Sequence, residues 1–163
     1  MGKIAFLDLE ASGLGSASWP IEVGWCFDDG APETMLIRPA QEWPHEAWDD
    51  HAASLHGLAY DVLEASGLVV GEVCARLNQA LEGAAVYSDA PDWDGFWLYR
   101  LFAAARARQR FSLCDFGDLL CELPPQTVAA AVAEAKISSP HRHRAREDVL
   151  HMKKIFDLAT ASC

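Results

Sequence analysis

Residues 3–9 form a short run that is apolar on both sides of Phe6 and Leu7, a pattern that predicts a central strand buried on both faces. Gly13, Gly15, Ser16 and Ser18 then supply a turn. Ile21, Val23, Trp25 and Phe27 alternate with Glu22 and Gly24 and predict a second strand over 21–27; residues 33–38 predict a third, completing a meander. The period then changes. Helices are expected over 59–66 and 70–81, a short strand over 84–87, a long helix from about Gly95 to Arg108, and a fifth strand over 111–114. Pro124 and Pro125 open an alanine-rich helix, and Pro140 separates it from a last helix. That helix has apolar positions at Ala145, Val149, Met152, Phe156 and Ala159, whose 4-3-4-3 spacing makes one buried face. Three strands, helices, a strand, a helix, a strand and terminal helices predict an α/β fold, a mixed five-stranded sheet flanked by helices, in a single domain over 1–163.

Composition narrows the function classes. With 163 residues, 51% hydrophobic and 23% charged, the chain can bury a full core and is too apolar for a disordered one. A net charge of -11 argues against coating duplex DNA or an anionic membrane by bulk electrostatics, while leaving room for a local nucleic-acid site. The charge is uneven. Residues 1–99 hold 3 basic and 17 acidic side chains, and residues 100–163 hold 10 and 7, which suggests an acidic cluster facing a basic rim. The five cysteines (Cys26, Cys74, Cys114, Cys121, Cys163) are scattered with no CxxC pair, so a reducing compartment fits better than a disulfide framework or structural zinc. No stretch approaches the length of a membrane span, and the opening residues MGKIAFLDLE place carboxylates where a signal peptide needs an apolar run, so the expected location is cytoplasmic.

Three places carry candidate chemistry. Asp8 and Glu10 stand two apart at the carboxyl end of the first strand, so both point to one face at the edge where open α/β sheets hold ligands. Asp94 follows the short strand at the start of the long helix; Asp89 and Asp92 compete for its role, and Asp92 is equally suited to cap that helix. His143 and Asp148 enter the last helix. If both were helical they would differ by about 140° around the axis, so convergence requires His143 on the preceding loop or in a frayed first turn. Were Asp8, Glu10, Asp94 and Asp148 to meet, each pair of carboxylates about 4 Å apart would repel by roughly 4 kcal/mol at an effective dielectric of 20. Protons or cations must relieve that. An all-oxygen ligand set selects Mg²⁺ or Mn²⁺, and two such ions match four carboxylates in charge, the constitution of a two-metal phosphodiesterase site.

At this point the motifs resemble those of the DEDDh exonucleases, a family that includes the proofreading subunit of bacterial replicative DNA polymerase, oligoribonuclease and ribonuclease T. Phe6-Leu7-Asp8-Leu9-Glu10-Ala11-Ser12-Gly13-Leu14 is similar to the first exonuclease motif, Trp93-Asp94-Gly95-Phe96 to the second, and His143 with four residues before Asp148 to the third. Ser54-Leu55-His56-Gly57-Leu58 resembles a substrate-side loop of that family. The resemblance implies a ribonuclease-H-like fold and a metal-dependent 3′-to-5′ exonuclease releasing nucleoside 5′-monophosphates. It implies that Asp8, Glu10 and Asp148 hold one metal, that Asp8 holds a second with Asp94 acting through water, and that His143 is the general base. Leu14 would wedge under the last base, with Leu55 and His56 behind it. Two departures stand out: Ala11 replaces a threonine usual in the family, and Ser-Asp-Ala-Pro-Asp-Trp-Asp replaces a His-Asn pair before the second-motif acid.

Other residues are weighed against these. His143 is preferred over His141 as base, and His141, His143 and His151 lack the carboxylate or cysteine partners of a zinc site. Substrate grip is expected from apolar stacking and from Arg100, Arg106, Arg108 and Arg110 on one side, and Arg142, Arg144 and Arg146 on the other. None of the six tryptophans is singled out as a ligand. A strongly acidic domain grips few phosphates, which favours short or single-stranded 3′ ends, RNA slightly over DNA. A DNA proofreading exonuclease working beside a polymerase is the alternative, as is a catalytically silent nucleic-acid-binding domain, which the presence of all five candidate residues disfavours. Several small members of the family are dimers, and an acidic monomer would bind substrate weakly by itself, so the resemblance implies a homodimer.

Overall fold

A computed structural model describes residues 2–161. Its strands are β1 (Ile4–Ala11), β2 (Pro20–Phe27), β3 (Glu33–Leu36), β4 (Ala85–Ser88) and β5 (Leu113–Asp115), in the sheet order β3-β2-β1-β4-β5. The first three strands pair antiparallel, and β4 and β5 run parallel to β1, giving the mixed sheet expected. Helices α1 (Asp50–His56), α2 (Tyr60–Ser66), α3 (Val70–Leu81), α4 (Pro91–Ala104), α5 (Phe116–Leu120), α6 (Pro125–Ser138) and α7 (Ala145–Thr160) complete the architecture. Among the described residues no helix is long and apolar enough to cross a membrane.

The two faces of β1 feed two cores. Ala5, Leu7 and Leu9 pack with α3 and α4, while Phe6 packs with α5, α6 and α7. Side chains alternate along a strand, so Asp8 and Glu10 share the α7 side with Phe6. The apolar stripe on α7 is where its spacing placed it: Ala145, Val149, Met152 and Ala159 are buried, and Phe156 meets Phe6 with ring centroids 5.6 Å apart. Gly24, opposite Asp8 in the β1–β2 ladder, permits the close approach of α7. A Cβ there would lie 2.9 Å from the carbonyl carbon and oxygen of Ala145.

Several local expectations are corrected. The alternation in β2 does not mark a wet face: Glu22 is buried, bonded by Arg144 at 2.8 and 2.9 Å and by the Ala145 amide at 3.1 Å. The fourth helix starts at Pro91 rather than Gly95, because proline at the first helical position has its φ preset and no N–H to lose. Asp92 therefore lies exposed inside the first turn, with Ala90 at the cap position. The same helix ends at Ala104, before Arg108, and Arg106 beyond it adopts a left-handed φ of 50°. Helix α1 was missed because seven residues carry too little periodicity. Its ends are nonetheless marked, by Asp49 accepting from the His51 amide at 2.8 Å and by Gly57 at φ 69°.

Candidate active site

Asp8 and Glu10 leave β1 at its carboxyl end, and α7 brings Asp148 to them one turn after the Ala145–Gly24 contact. One ligand oxygen from each of Asp8, Glu10 and Asp148 lies within 4.8 Å of the other two. Asp94, in the first turn of α4, approaches from the other side and is almost fully buried. One of its oxygens accepts from the Leu9 amide at 3.2 Å; the other accepts from the Ser88 hydroxyl, which itself accepts from the Ala90 amide at 2.9 Å. A carboxylate offers about four acceptor positions, so Asp94 is anchored to β1 and β4 with capacity left for water.

Burial and mutual repulsion set the protonation of this cluster. Desolvation pushes Asp8 well above the ordinary aspartate range, and the neighbouring charges of Asp94, Glu10, Asp148 and Asp89 add to it. Glu10 is pushed up to about 8 by desolvation, then by Asp148 and Glu22. Asp94 rises to about 7 through desolvation, opposed by its hydrogen bond from Ser88. Asp8 Oδ2 is buried and finds no hydrogen-bond partner among the described residues. An orphaned carboxylate oxygen beside two further carboxylates suits a hard divalent cation: the donors are all oxygen, and a cation would satisfy both the lone pair and the charge.

His143 occupies the loop before α7, as convergence required, with a left-handed φ of 54° and its ring exposed at the cavity wall. His141 lies against the carboxylates, its Nδ1 3.3 Å from Asp148 Oδ1 and its Nε2 3.4 Å from Asp89 Oδ2. The bond to Asp148 pushes the His141 pKa up against the effect of burial. His151 is buried, its Nδ1 2.6 Å from the Ser139 carbonyl oxygen. That contact places its ring beside His141, at a centroid distance of 4.0 Å.

Asp8, Glu10, Asp94, Asp148, His141 and His143 line a cavity of about 360 Å³ at the carboxyl edge of the sheet. Leu14 and Leu55 stand on its rim, 68% and 48% exposed. His56 also lines it but is buried, its Nδ1 accepting from the Leu58 amide at 3.0 Å. The wall includes a residue that sequence reasoning passed over, Trp93, 40% exposed and stacked on Trp97 with ring centroids 5.4 Å apart. Trp97 is fixed in turn by donating to Ser18 Oγ at 2.9 Å. Its signal was position: Trp93 directly precedes Asp94 on a helix whose other face is core. The expected basic rim is only partly assembled. Arg144 is consumed by Glu22, and Arg108 and Arg110 border a separate cavity of about 770 Å³ with Gly83 and Phe111, at the opposite edge of the sheet. That larger cavity contains no acidic cluster.

No protein-family model and no curated protein matches the sequence. Solved structures do match the fold. Exonuclease I of E. coli in complex with a dT13 oligonucleotide superposes with a TM-score of 0.73 at 16% identity, over 99% of this chain and 42% of that one. A zinc-bound form of the E. coli enzyme with single-stranded DNA gives 0.75, at 16% identity over 99% and 41%. A moderately thermophilic Exonuclease I from Methylocaldum szegediense gives 0.76, also at 16% identity over 99% and 41%. The chain thus spans about two fifths of the length of these proteins. With the sheet order above, the likeness establishes an α/β ribonuclease-H-like fold.

Proposed function

We propose that this chain is a divalent-metal-dependent exonuclease that removes nucleoside 5′-monophosphates from single-stranded nucleic-acid 3′ ends. The observation that carries the reading is the convergence of Asp8, Glu10 and Asp148 within 4.8 Å, together with a buried Asp8 oxygen that has no hydrogen-bond partner among the described residues. Asp8, Glu10 and Asp148 would hold Mg²⁺ or Mn²⁺. A divalent cation held by these carboxylates would neutralise their charge and supply Lewis-acid polarisation of a phosphodiester and its attacking water. Asp94 keeps Leu9 and the β4 end in place while its free acceptor positions orient a water. His143 stands at the cavity wall, free to take the proton of the attacking water, and general bases contribute roughly 10² to 10⁴ in rate. Leu14 and Leu55 offer apolar surface to the terminal base at the rim, and His56 sits behind them.

Structures of similar fold hold single-stranded oligodeoxynucleotides, which supports reading the substrate as a single strand, DNA or RNA. The deciding experiment is digestion of matched, 5′-labelled RNA and DNA single strands, with free and blocked 3′ ends, in Mg²⁺, Mn²⁺ or EDTA. Stepwise shortening only from free 3′ ends and only with metal is expected. Cleavage that ignores the 3′ block, or persists in EDTA, refutes the reading.

A further inference from the structure

The outer face of α4 carries a second set of side chains suited to a nucleic-acid strand, beginning at the cavity wall and leading away from it. Trp93, Phe96 and Arg100 fall at i, i+3 and i+7, so they share a face. Trp93 meets Phe96 edge-on with centroids 6.3 Å apart, and the Arg100 guanidinium lies over the Phe96 ring at 5.8 Å. Arg100 Nε is buried without a hydrogen-bond partner among the described residues, so the guanidinium is held by stacking rather than by an acid. Beyond it, a cavity of about 280 Å³ opens between α4 and the segment at Glu42 and Trp43, with Tyr99 on its lip at 72% exposure. The floor is rigid: Trp43 stacks on Trp19, rings 5.6 Å apart, and Trp19 Nε1 donates to the Pro44 carbonyl at 3.0 Å.

The spacing fits nucleotides. Seven residues of α-helix between Trp93 and Arg100 rise about 10 Å, which about three stacked nucleotides at roughly 3.4 Å each would span. Exposed aromatic faces receive bases of any sequence, and an unpaired guanidinium receives a phosphate or stacks on a base. Glu42, the acid on the lip, offers only acceptors and would face base amino groups. Continuity with the candidate active site and the free cation at Arg100 favour a single-stranded nucleic acid as the occupant. We infer that, given the exonuclease reading above, the Trp93–Phe96–Arg100–Tyr99 face of α4 is the track on which the nucleotides upstream of the 3′ end lie.

The test is fluorescence anisotropy with 5′-labelled oligodeoxynucleotides of 2, 4, 6 and 8 residues, using Ca²⁺ in place of Mg²⁺ and checking by gel that the strand stays intact. Affinity should climb at least tenfold from 2 to 6 residues and then level off. Tyr99→Ala, at an exposed position, and Arg100→Lys, which keeps the charge but loses the planar stack, should each weaken 6-residue binding about tenfold and leave the dinucleotide unaffected. Arg108→Ala, at the opposite sheet edge, should change neither. The track is overturned if wild-type affinity is flat with length, if the α4 variants lose nothing, or if Arg108→Ala matches their loss. Failure of the exonuclease reading is separately visible: wild-type protein would then not cleave a dinucleotide in Mn²⁺, whatever the length dependence of binding.

Discussion

Replacing Asp8 by asparagine should stabilise the metal-free protein while destroying its response to metal. Asp8 and Glu10 have folded-state pKa values raised above their unfolded ones, Glu10 to about 8. A raised carboxylate stabilises the fold fully below its unfolded pKa and loses that contribution as pH rises through the folded value. The metal-free wild type should therefore weaken steadily between about pH 4.5 and 8. Raising Glu10 from the ordinary glutamate range to about 8 would correspond to some 5 kcal/mol if the group were fully dry, but its carboxylate is partly exposed, and screening reduces this to about 2 kcal/mol. Asp8→Asn removes a buried charge that Asp94, Glu10 and Asp148 all repel, so the EDTA midpoint at pH 8 should rise, by about 2 to 4 °C for each 1 kcal/mol recovered in a chain this size. Saturating Mn²⁺ at about 100 times its Kd should stabilise the wild type by about 2.7 kcal/mol and the variant by almost nothing, since a neutral amide is a poor replacement for a carboxylate ligand. Thermal melts at pH 5 and pH 8, in EDTA and in Mn²⁺, measure all of this. An Asp8→Asn protein that melts below wild type at pH 8 in EDTA, or that keeps the Mn²⁺ shift, refutes the reasoning.

Three further outcomes are expected. His143→Ala should cut turnover by 10² or more with metal-induced stabilisation intact, and His141→Ala by much less; single-turnover rates at saturating Mn²⁺ decide, and a reversed order would reassign the base to the histidine held by Asp148 and Asp89. Gly24→Ala should destabilise by about 1 to 3 kcal/mol, because its Cβ would sit 2.9 Å from the backbone of Ala145 and α7 must shift; an unchanged urea midpoint would count against this packing. Ser88→Ala removes the donor that opposes the upward drift of Asp94, so Asp94 should titrate at higher pH and the acid limb of the pH–rate profile should move up; a profile superposable on wild type would contradict the role given to Ser88.

Much of the architecture is local and therefore legible in the chain. A short run apolar on both faces and closed by a Gly/Ser turn fits a central strand, a 4-3-4-3 stripe fits a one-faced helix, and Asp8 and Glu10 two apart on such a strand share a side. That much places Asp8 and Glu10; the choice of Asp94 over Asp89 and Asp92, and the pairing of His143 with Asp148, rest on the motif resemblance. Short or irregular pieces are less legible: α1 and the start of α4 depend on a cap and a proline rather than on periodicity.

What the tertiary structure alone decided is pairing across distance. Glu22 reads as the polar side of an alternating strand, yet Arg144, 122 positions away, takes it into the core and is thereby withdrawn from the basic rim. Arg108 and Arg110 sit in sequence near an Asp94-bearing helix, but α4 carries the chain to the far edge of the sheet before they appear. Trp93 becomes a cavity wall, and His141 a partner of two acids, only when β4, α4 and α7 meet. Periodicity along a chain records which side of an element faces the core. It carries no information on which remote charge will be there to meet it, because that partner is chosen by the packing of whole elements.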